Sequence, residues 1–183
     1  MTGSAPRPDR NTKNLPPNIF LGSRCNHDCL FCSEGLKDKT QSRETIEFVI
    51  ATTHDTLSIE GGEPTLCRDL EFWVRRAHDR GIRDIILCTN GVRFYDPNYV
   101  KRLCDAGITL FNVNFPAHNE KLFNAITRTS AQFGKRLAAL RTLVDVAGGR
   151  KVRLNMVVNR LNCAMIPHYV RFVKRHLPEI FYI

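Results

Sequence analysis

The chain has 183 residues, 43% of them apolar and 25% charged, with seven cysteines and a net charge of +9. That size and balance describe one globular domain able to bury about 70% of its unfolded surface, and they exclude a disordered chain, a collagen-like repeat and a disulfide miniprotein. No apolar run approaches the ~18 residues of a membrane span, and the first residues carry no apolar signal core, so the expectation is a cytoplasmic protein with no membrane contact.

Residues 1–17 are rich in Pro, Arg, Asn and Ser and read as a disordered tail. Residues 18–183 read as one core domain. Short β-type runs follow near Asn18–Leu21, Thr56–Ile59, Asp84–Cys88, Thr109–Phe115, Lys151–Val158 and Glu179–Ile183, each bounded by Gly, Asn or Pro. Between them lie helical stripes: Leu70, Trp73, Val74 and Ala77, stopped at Gly81; Val100, Leu103 and Cys104 after the Asp96-Pro97 start; Phe133, Leu137, Leu140, Val144 and Ala147, ended by Gly148-Gly149; and Ile166, Val170, Val173 and Leu177 between Pro167 and Pro178. Strand and helix alternate without a hairpin signal. The fold class is therefore α/β with a parallel sheet, either a partial barrel or a doubly wound sheet, and chemistry is expected at the carboxyl ends of the strands.

The first strand leads into Cys25-Asn-His-Asp-Cys29-Leu-Phe-Cys32. Three soft sulfur ligands on one loop suit an iron–sulfur cluster or zinc. Structural zinc wants a fourth ligand, and His27 would be cramped between Cys25 and Cys29; a 4Fe-4S cluster on three cysteines leaves one iron open. The odd cysteine count excludes full disulfide pairing, and Cys67, Cys88, Cys104 and Cys163 read as small core residues. The second strand ends in Glu60-Gly61-Gly62-Glu63-Pro64, where two glycines allow close backbone approach and a carboxylate beside them can accept from an ammonium group.

The cysteine triplet followed one βα unit later by GGEP resembles the radical S-adenosylmethionine (radical SAM) superfamily, and within it the branch of the peptide-maturation enzymes and the molybdenum-cofactor cyclase. The resemblance extends through Cys88-Thr-Asn-Gly91, Val113-Asn-Phe-Pro-Ala-His-Asn119 and Arg153-Leu-Asn-Met-Val-Val-Asn159, and covers residues 18 to 183. It implies a partial (β/α)6 TIM-like barrel that ends at the sixth strand, one helix short of the family core. It also implies a 4Fe-4S cluster on Cys25, Cys29 and Cys32, with S-adenosylmethionine on the open iron. Gly61, Gly62 and Glu63 match the segment receiving the methionine ammonium; Thr89, Asn90, Asn114 and Asn155 match polar strand-end positions near the carboxylate and ribose. At Asn114 the family more often has serine and at Pro116 an aspartate. Reductive cleavage of S-adenosylmethionine to methionine and a 5′-deoxyadenosyl radical, which takes hydrogen from a peptide or small molecule, is the implied reaction, with an external electron donor. A tRNA-modifying enzyme and a non-catalytic cluster-binding protein are the alternatives.

His118 reads as a helix cap, and Asn90, Asn114 and Asn155 have turn capping as their plain alternative. Charge is uneven: residues 1–92 sum to −1 and residues 93–183 to +10. The basic half, with Arg128, Lys135, Arg136, Arg141, Arg150, Lys151, Arg153 and Arg160, reads as a solvated surface suited to an acidic protein, with RNA as the alternative.

Overall fold

The computed structural model describes residues 16–33 and 40–183. Most of the expected tail lies outside the described residues, but Pro17 does not belong to it, because its carbonyl accepts from Ser58 N at 2.9 Å.

Five strands form one parallel sheet in chain order: β1 (Asn18–Phe20), β2 (Thr56–Glu60), β3 (Asp84–Thr89), β4 (Leu110–Asn114) and β5 (Val152–Asn155). Between them run α1 (Arg43–Thr52), α2 (Leu70–Asp79), α3 (Pro97–Ala106), α4 (Glu120–Thr127) and α5 (Phe133–Ala147), and α6 (Ile166–His176) follows β5. A sheet whose neighbours are consecutive, joined by right-handed crossovers, carries all its helices on one face. Alternate strand residues make that core face: Ile19, Leu57, Ile59, Ile85, Leu87, Phe111, Val113, Val152 and Leu154 are all buried. The remaining residues point to the opposite face, which in a barrel is the lumen.

Helix ends follow sequence chemistry. Ser42 caps α1 by accepting from Thr45 N, Asp96 caps α3 with Pro97 at its first position, and the Asn119 side chain accepts from Leu122 N at the start of α4. The cap expected of His118 is thus supplied by its neighbour, whose shorter side chain reaches the N–H groups of the first turn. The stripe of α2 buries Leu70, Trp73, Val74 and Ala77 as expected. In α6 the buried residues are Tyr169 and Val173, and Ile166 is exposed.

Two strand expectations need correction. β5 stops at Asn155, and Val157 and Val158 are exposed beyond it. Glu179–Ile183 forms no sixth strand: Ile180 N turns back to Leu177 O at 3.1 Å, so only Tyr182 reaches the sheet, through a single parallel bridge to Arg153. The bridge lies on the free edge of β5, where the next strand of the same order would start. Among the described residues no helix is long and apolar enough to cross a membrane.

Candidate active site

The site is built where β1 and β2 end. Past β1 the backbone stays beside β2: Leu21 N donates to Glu60 O, Gly62 N to Gly22 O at 2.8 Å and Glu63 N to Arg24 O at 2.9 Å. Gly61 sits at φ +153°, and a Cβ on Gly62 would lie 2.3 Å from Ser23 O. The two glycines therefore allow the base of the cysteine loop to lie flat on the β2 terminus. The far side of the loop is fastened to α4, by Leu30 N donating to Ile126 O at 2.9 Å and by the Arg128 to Asp28 ion pair at 2.9 Å. Asn90 fastens it to β3, its Nδ2 donating to Asn26 Oδ1 at 2.6 Å.

Cys25, Cys29 and Cys32 all line a cavity of about 370 Å³, shared with Gly61, Gly62, Thr89, Asn90, Asn114 and Asn155. All the expected binding positions except Glu63 thus meet at one place, at the carboxyl ends of the five strands. Burial pushes the Cys29 thiol up to about 11, helped by repulsion from the other two sulfurs, and burial also raises Cys25. His27 lines the same cavity; burial lowers it to about 4, the Arg136 charge acting in the same direction, so its ring is neutral at pH 7.

Glu63 lies beneath the cavity wall, only 3% exposed. Its Oε1 accepts from Thr65 N, Thr65 Oγ1 and Thr89 Oγ1, and its Oε2 from Asn90 N, at 2.6 to 3.1 Å. The carboxylate ties the turn after β2 to the end of β3, and four donors already use most of its capacity. The carboxylate that does line the cavity is Glu60, which sequence reasoning passed over. Its signal was the period of two: Ser58 and Glu60 share the lumen face with Cys88 and Asn112 of the next strands. Those residues join in a polar row, with Ser58 Oγ donating to Glu60 Oε1 at 2.7 Å, Asn112 Nδ2 to Cys88 Sγ at 3.4 Å and Arg153 Nε to Asn112 Oδ1 at 3.1 Å.

Of the four remaining cysteines only Cys104 packs against the hydrophobic core. Cys163 is exposed, and Cys67, Cys88 and Cys104 are half-buried, with Cys88 in the cavity wall. The surface expected for Arg136 is also wrong: it is 1% exposed, because it falls one turn before Leu140 on the inward face of α5.

A match to the Radical SAM superfamily spans residues 19–173. The chain belongs to that superfamily. Among curated relatives of this radical SAM protein, a probable GTP 3',8-cyclase of Saccharolobus islandicus is 38% identical over 151 residues, covering 79% of this chain and 48% of that protein. A probable GTP 3',8-cyclase of Sulfurisphaera tokodaii is 30% identical over 161 residues, 84% of this chain and 50% of its own. This chain therefore spans about half the length of the curated relatives it matches. Its fold is that of Streptococcus suis SuiB bound to S-adenosylmethionine, with a TM-score of 0.68 at 18% identity, over 88% of this chain and 38% of that one. Radical SAM proteins are enzymes that use a 4Fe-4S cluster and S-adenosylmethionine.

The residues present fit that pair. A cube of four irons takes one thiolate at each of three separate corners, so the sulfurs must line one cavity and need not converge on one point. Three cysteines line one cavity here. Asn114 Oδ1 and His27 Nδ1, both from residues of the cavity wall, are buried with no hydrogen-bond partner among the described residues, which leaves them able to bond a polar ligand.

Proposed function

We propose that this chain is the cluster-bearing part of a radical SAM enzyme, with Cys25, Cys29 and Cys32 as cluster ligands and the adjoining cavity as the S-adenosylmethionine site. The observation that supports it is the convergence of all three thiols, the Gly61-Gly62 turn and Asn114 on one cavity at the strand ends. When bound, the cluster and S-adenosylmethionine supply one electron and a 5′-deoxyadenosyl radical able to take a hydrogen atom from a substrate.

The chain's own residues hold and shield. The Gly61-Gly62 turn adds backbone to the cavity wall while leaving room for the cysteine loop on its other side. Glu60 offers its carboxylate to the methionine ammonium, and Ser58 Oγ orients it. Asn114 offers its unpaired Oδ1 to the ribose hydroxyls, and Asn155 adds a second amide from β5 on the same wall. Asn90 and Thr89 act indirectly: their side chains are committed to Asn26 and Glu63 and so keep the cysteine loop in place. Phe20 and Phe31 add apolar wall that excludes water from a reactive site.

The relatives named as GTP cyclases favour a small molecule of the purine nucleotide class as substrate. The electron would come from an external donor, and the +10 charge of residues 93–183 suits an acidic one. Anaerobic reconstitution with iron and sulfide tests the reading: the chain should take up about four irons, and Cys29→Ala should take up far less. Adding a strong reductant and S-adenosylmethionine should then yield 5′-deoxyadenosine. A wild-type chain that binds no more iron than Cys29→Ala overturns the reading.

A further inference from the structure

The guanidinium of Arg136 is buried for the sake of one hydrogen bond to the end of β4. Arg136 is 1% exposed, on the inward face of α5, and its Nη2 donates to the carbonyl of Asn114 at 2.8 Å. The guanidinium stands 5.6 Å from the Phe123 ring centroid. Its Nε and Nη1 are buried with no hydrogen-bond partner among the described residues, and no carboxylate of those residues lies within ion-pair distance of it. A guanidinium keeps its charge inside a protein, and burying one with two unmatched donors costs stability. Where a fold needs only bulk, an apolar side chain fills the space without that cost.

The one bond that Arg136 does make falls on a peptide group of the cavity wall. The carbonyl of Asn114 and the N–H of Phe115 belong to the same peptide, and that N–H donates to the carbonyl of Asn155 at 3.0 Å. Arg136, the Asn114–Phe115 peptide and Asn155 thus form a single chain of hydrogen bonds from α5 to the end of β5. A charged donor at the head of such a chain strengthens the bond that follows. Asn114 and Asn155 are partners in the register of β4 and β5, and both line the cavity. On the other side Asn162 Nδ2 holds Pro116 O at 3.2 Å, so the exit of β4 is fixed at three successive residues while Asn114 Oδ1 stays without a partner.

We propose that Arg136 is the positioning residue for Asn114: it locks the end of β4 in register with β5, so that the Asn114 side chain meets S-adenosylmethionine from a fixed backbone. The inference rests on the proposed S-adenosylmethionine site. Arg136 is absent from the cavity wall and acts only through the Asn114 peptide. Its loss therefore leaves every cavity side chain in the sequence but lets Asn114, and with it the paired Asn155, move. A site built on a preorganised wall loses affinity when that wall is free to shift.

The test is S-adenosylmethionine binding, by anaerobic calorimetry, to reconstituted wild-type protein, Arg136→Met, Asn114→Ala and the double variant, with iron content measured in each. Arg136→Met removes the donor at similar volume and should weaken binding about tenfold, the scale of one hydrogen bond to a charged group, with iron content unchanged. In the Asn114→Ala background the same change should cost less than about threefold, because the residue it positions is already gone. Arg136→Lys keeps a charged donor and should bind more tightly than Arg136→Met. Equal losses in the two backgrounds, the mark of a general loosening of the core, overturn the proposal. So do unchanged affinity in a loaded Arg136→Met, a Lys variant no better than Met, and a Met variant that also loses its iron. Circular dichroism controls for folding, and should Arg136→Met not fold, Arg136→Gln replaces it under the same criteria. Wild-type protein supplies a readout that needs no variant: hydrogen exchange of the Phe115 amide should slow at least about threefold when S-adenosylmethionine is added, and unchanged exchange overturns the proposal. Wild-type protein that takes up no cluster, or binds no S-adenosylmethionine once loaded, defeats the proposed function and this inference with it, whereas a loaded, binding wild type with an unmoved variant defeats only the role of Arg136.

Discussion

The backbone N–H of Asn90 donates to Oε2 of Glu63 at 2.6 Å, across 27 positions of sequence. Together with the Thr65 and Thr89 bonds to Oε1, it makes a buried carboxylate the joint between the ends of β2 and β3. Glu63→Gln keeps the shape but replaces one acceptor oxygen with an NH2 that faces donors. Hydrogen bonds to a buried charged group are worth more than neutral ones, and an unmatched donor adds its own cost, so the loss should be about 2–4 kcal/mol. Urea unfolding of the cluster-free protein reads it directly. A carboxylate reserved for a ligand would leave that measurement unchanged, and such a result would remove the structural role given to Glu63.

The glycines give a second prediction, because two of them meet opposite surroundings. A Cβ on Gly62 would lie 2.3 Å from Ser23 O and 2.6 Å from Arg24 O, backbone atoms of the cysteine loop, whereas a Cβ on Gly134 in α5 meets nothing within 4 Å. Gly62→Ala should push the loop off β2 and cut iron uptake at least tenfold while far-ultraviolet circular dichroism keeps the helical signal. Gly134→Ala should stabilise the fold by about 0.4–1 kcal/mol by lowering the entropy of the unfolded chain and improving helix propensity. Equal iron uptake by the two variants would contradict the packing role of Gly62.

These two positions also mark how far the sequence could be read. The order of strands and helices was legible because apolar periodicity and Gly or Pro punctuation are local signals, and the cysteine spacing is local too. The direction of the Glu63 side chain was not, because it depends on Thr89 and Asn90 arriving from another strand. Arg136 was misplaced on the surface for the complementary reason: residue type suggests solvent, and only the register of α5 turns it inward. The last strand failed at Ile180, whose bond back to Leu177 prolongs the helix exit and leaves Tyr182 alone at the sheet edge. Glu60 was legible in principle, since it shares a face with Ser58 two residues earlier. The neighbouring motif drew attention to Glu63, which does not line the cavity.

Acid should weaken the fold through the region after β4. His118 and His168 stack with ring centroids 5.7 Å apart, and His118 is held below the ordinary histidine value of 6.5, first by burial and then by the His168 charge. Its Nε2 accepts from Asn119 Nδ2 at 3.0 Å, so a second proton there costs that bond. Because the folded value is the lower one, the unfolded chain binds more protons in the interval below 6.5, and stability falls as pH drops into it. Urea midpoints at pH 7.5 and 5.5 should differ less in His118→Gln than in wild type. An acid sensitivity that is the same in both would assign the effect to other groups.

Glu60 and Glu63 stand three residues apart but differ in setting, Glu60 in the cavity wall and Glu63 buried outside it. Glu60 is half-buried, lines the cavity beside the cysteines and, among the described residues, takes one hydrogen bond, from Ser58 Oγ to its Oε1 at 2.7 Å. Glu60→Gln removes the charge and keeps the shape, and the described bonds that fasten the cluster loop end on the Glu60 backbone, Gly62, Glu63, Asn90 and α4, not on the Glu60 side chain. Iron content should therefore match wild type, while S-adenosylmethionine binding measured by calorimetry should weaken about tenfold, in line with the ~1.5–3 kcal/mol carried by a hydrogen bond to a charged group. Ser58→Ala frees the carboxylate to rotate and should weaken binding in the same direction but less. Methionine methyl ester, which keeps the ammonium, should compete for the site in wild type and lose that ability in Glu60→Gln. If Glu60→Gln binds as wild type does while Glu63→Gln, corrected for its lower stability, does not, the ammonium belongs to Glu63 and the assignment of Glu60 is wrong.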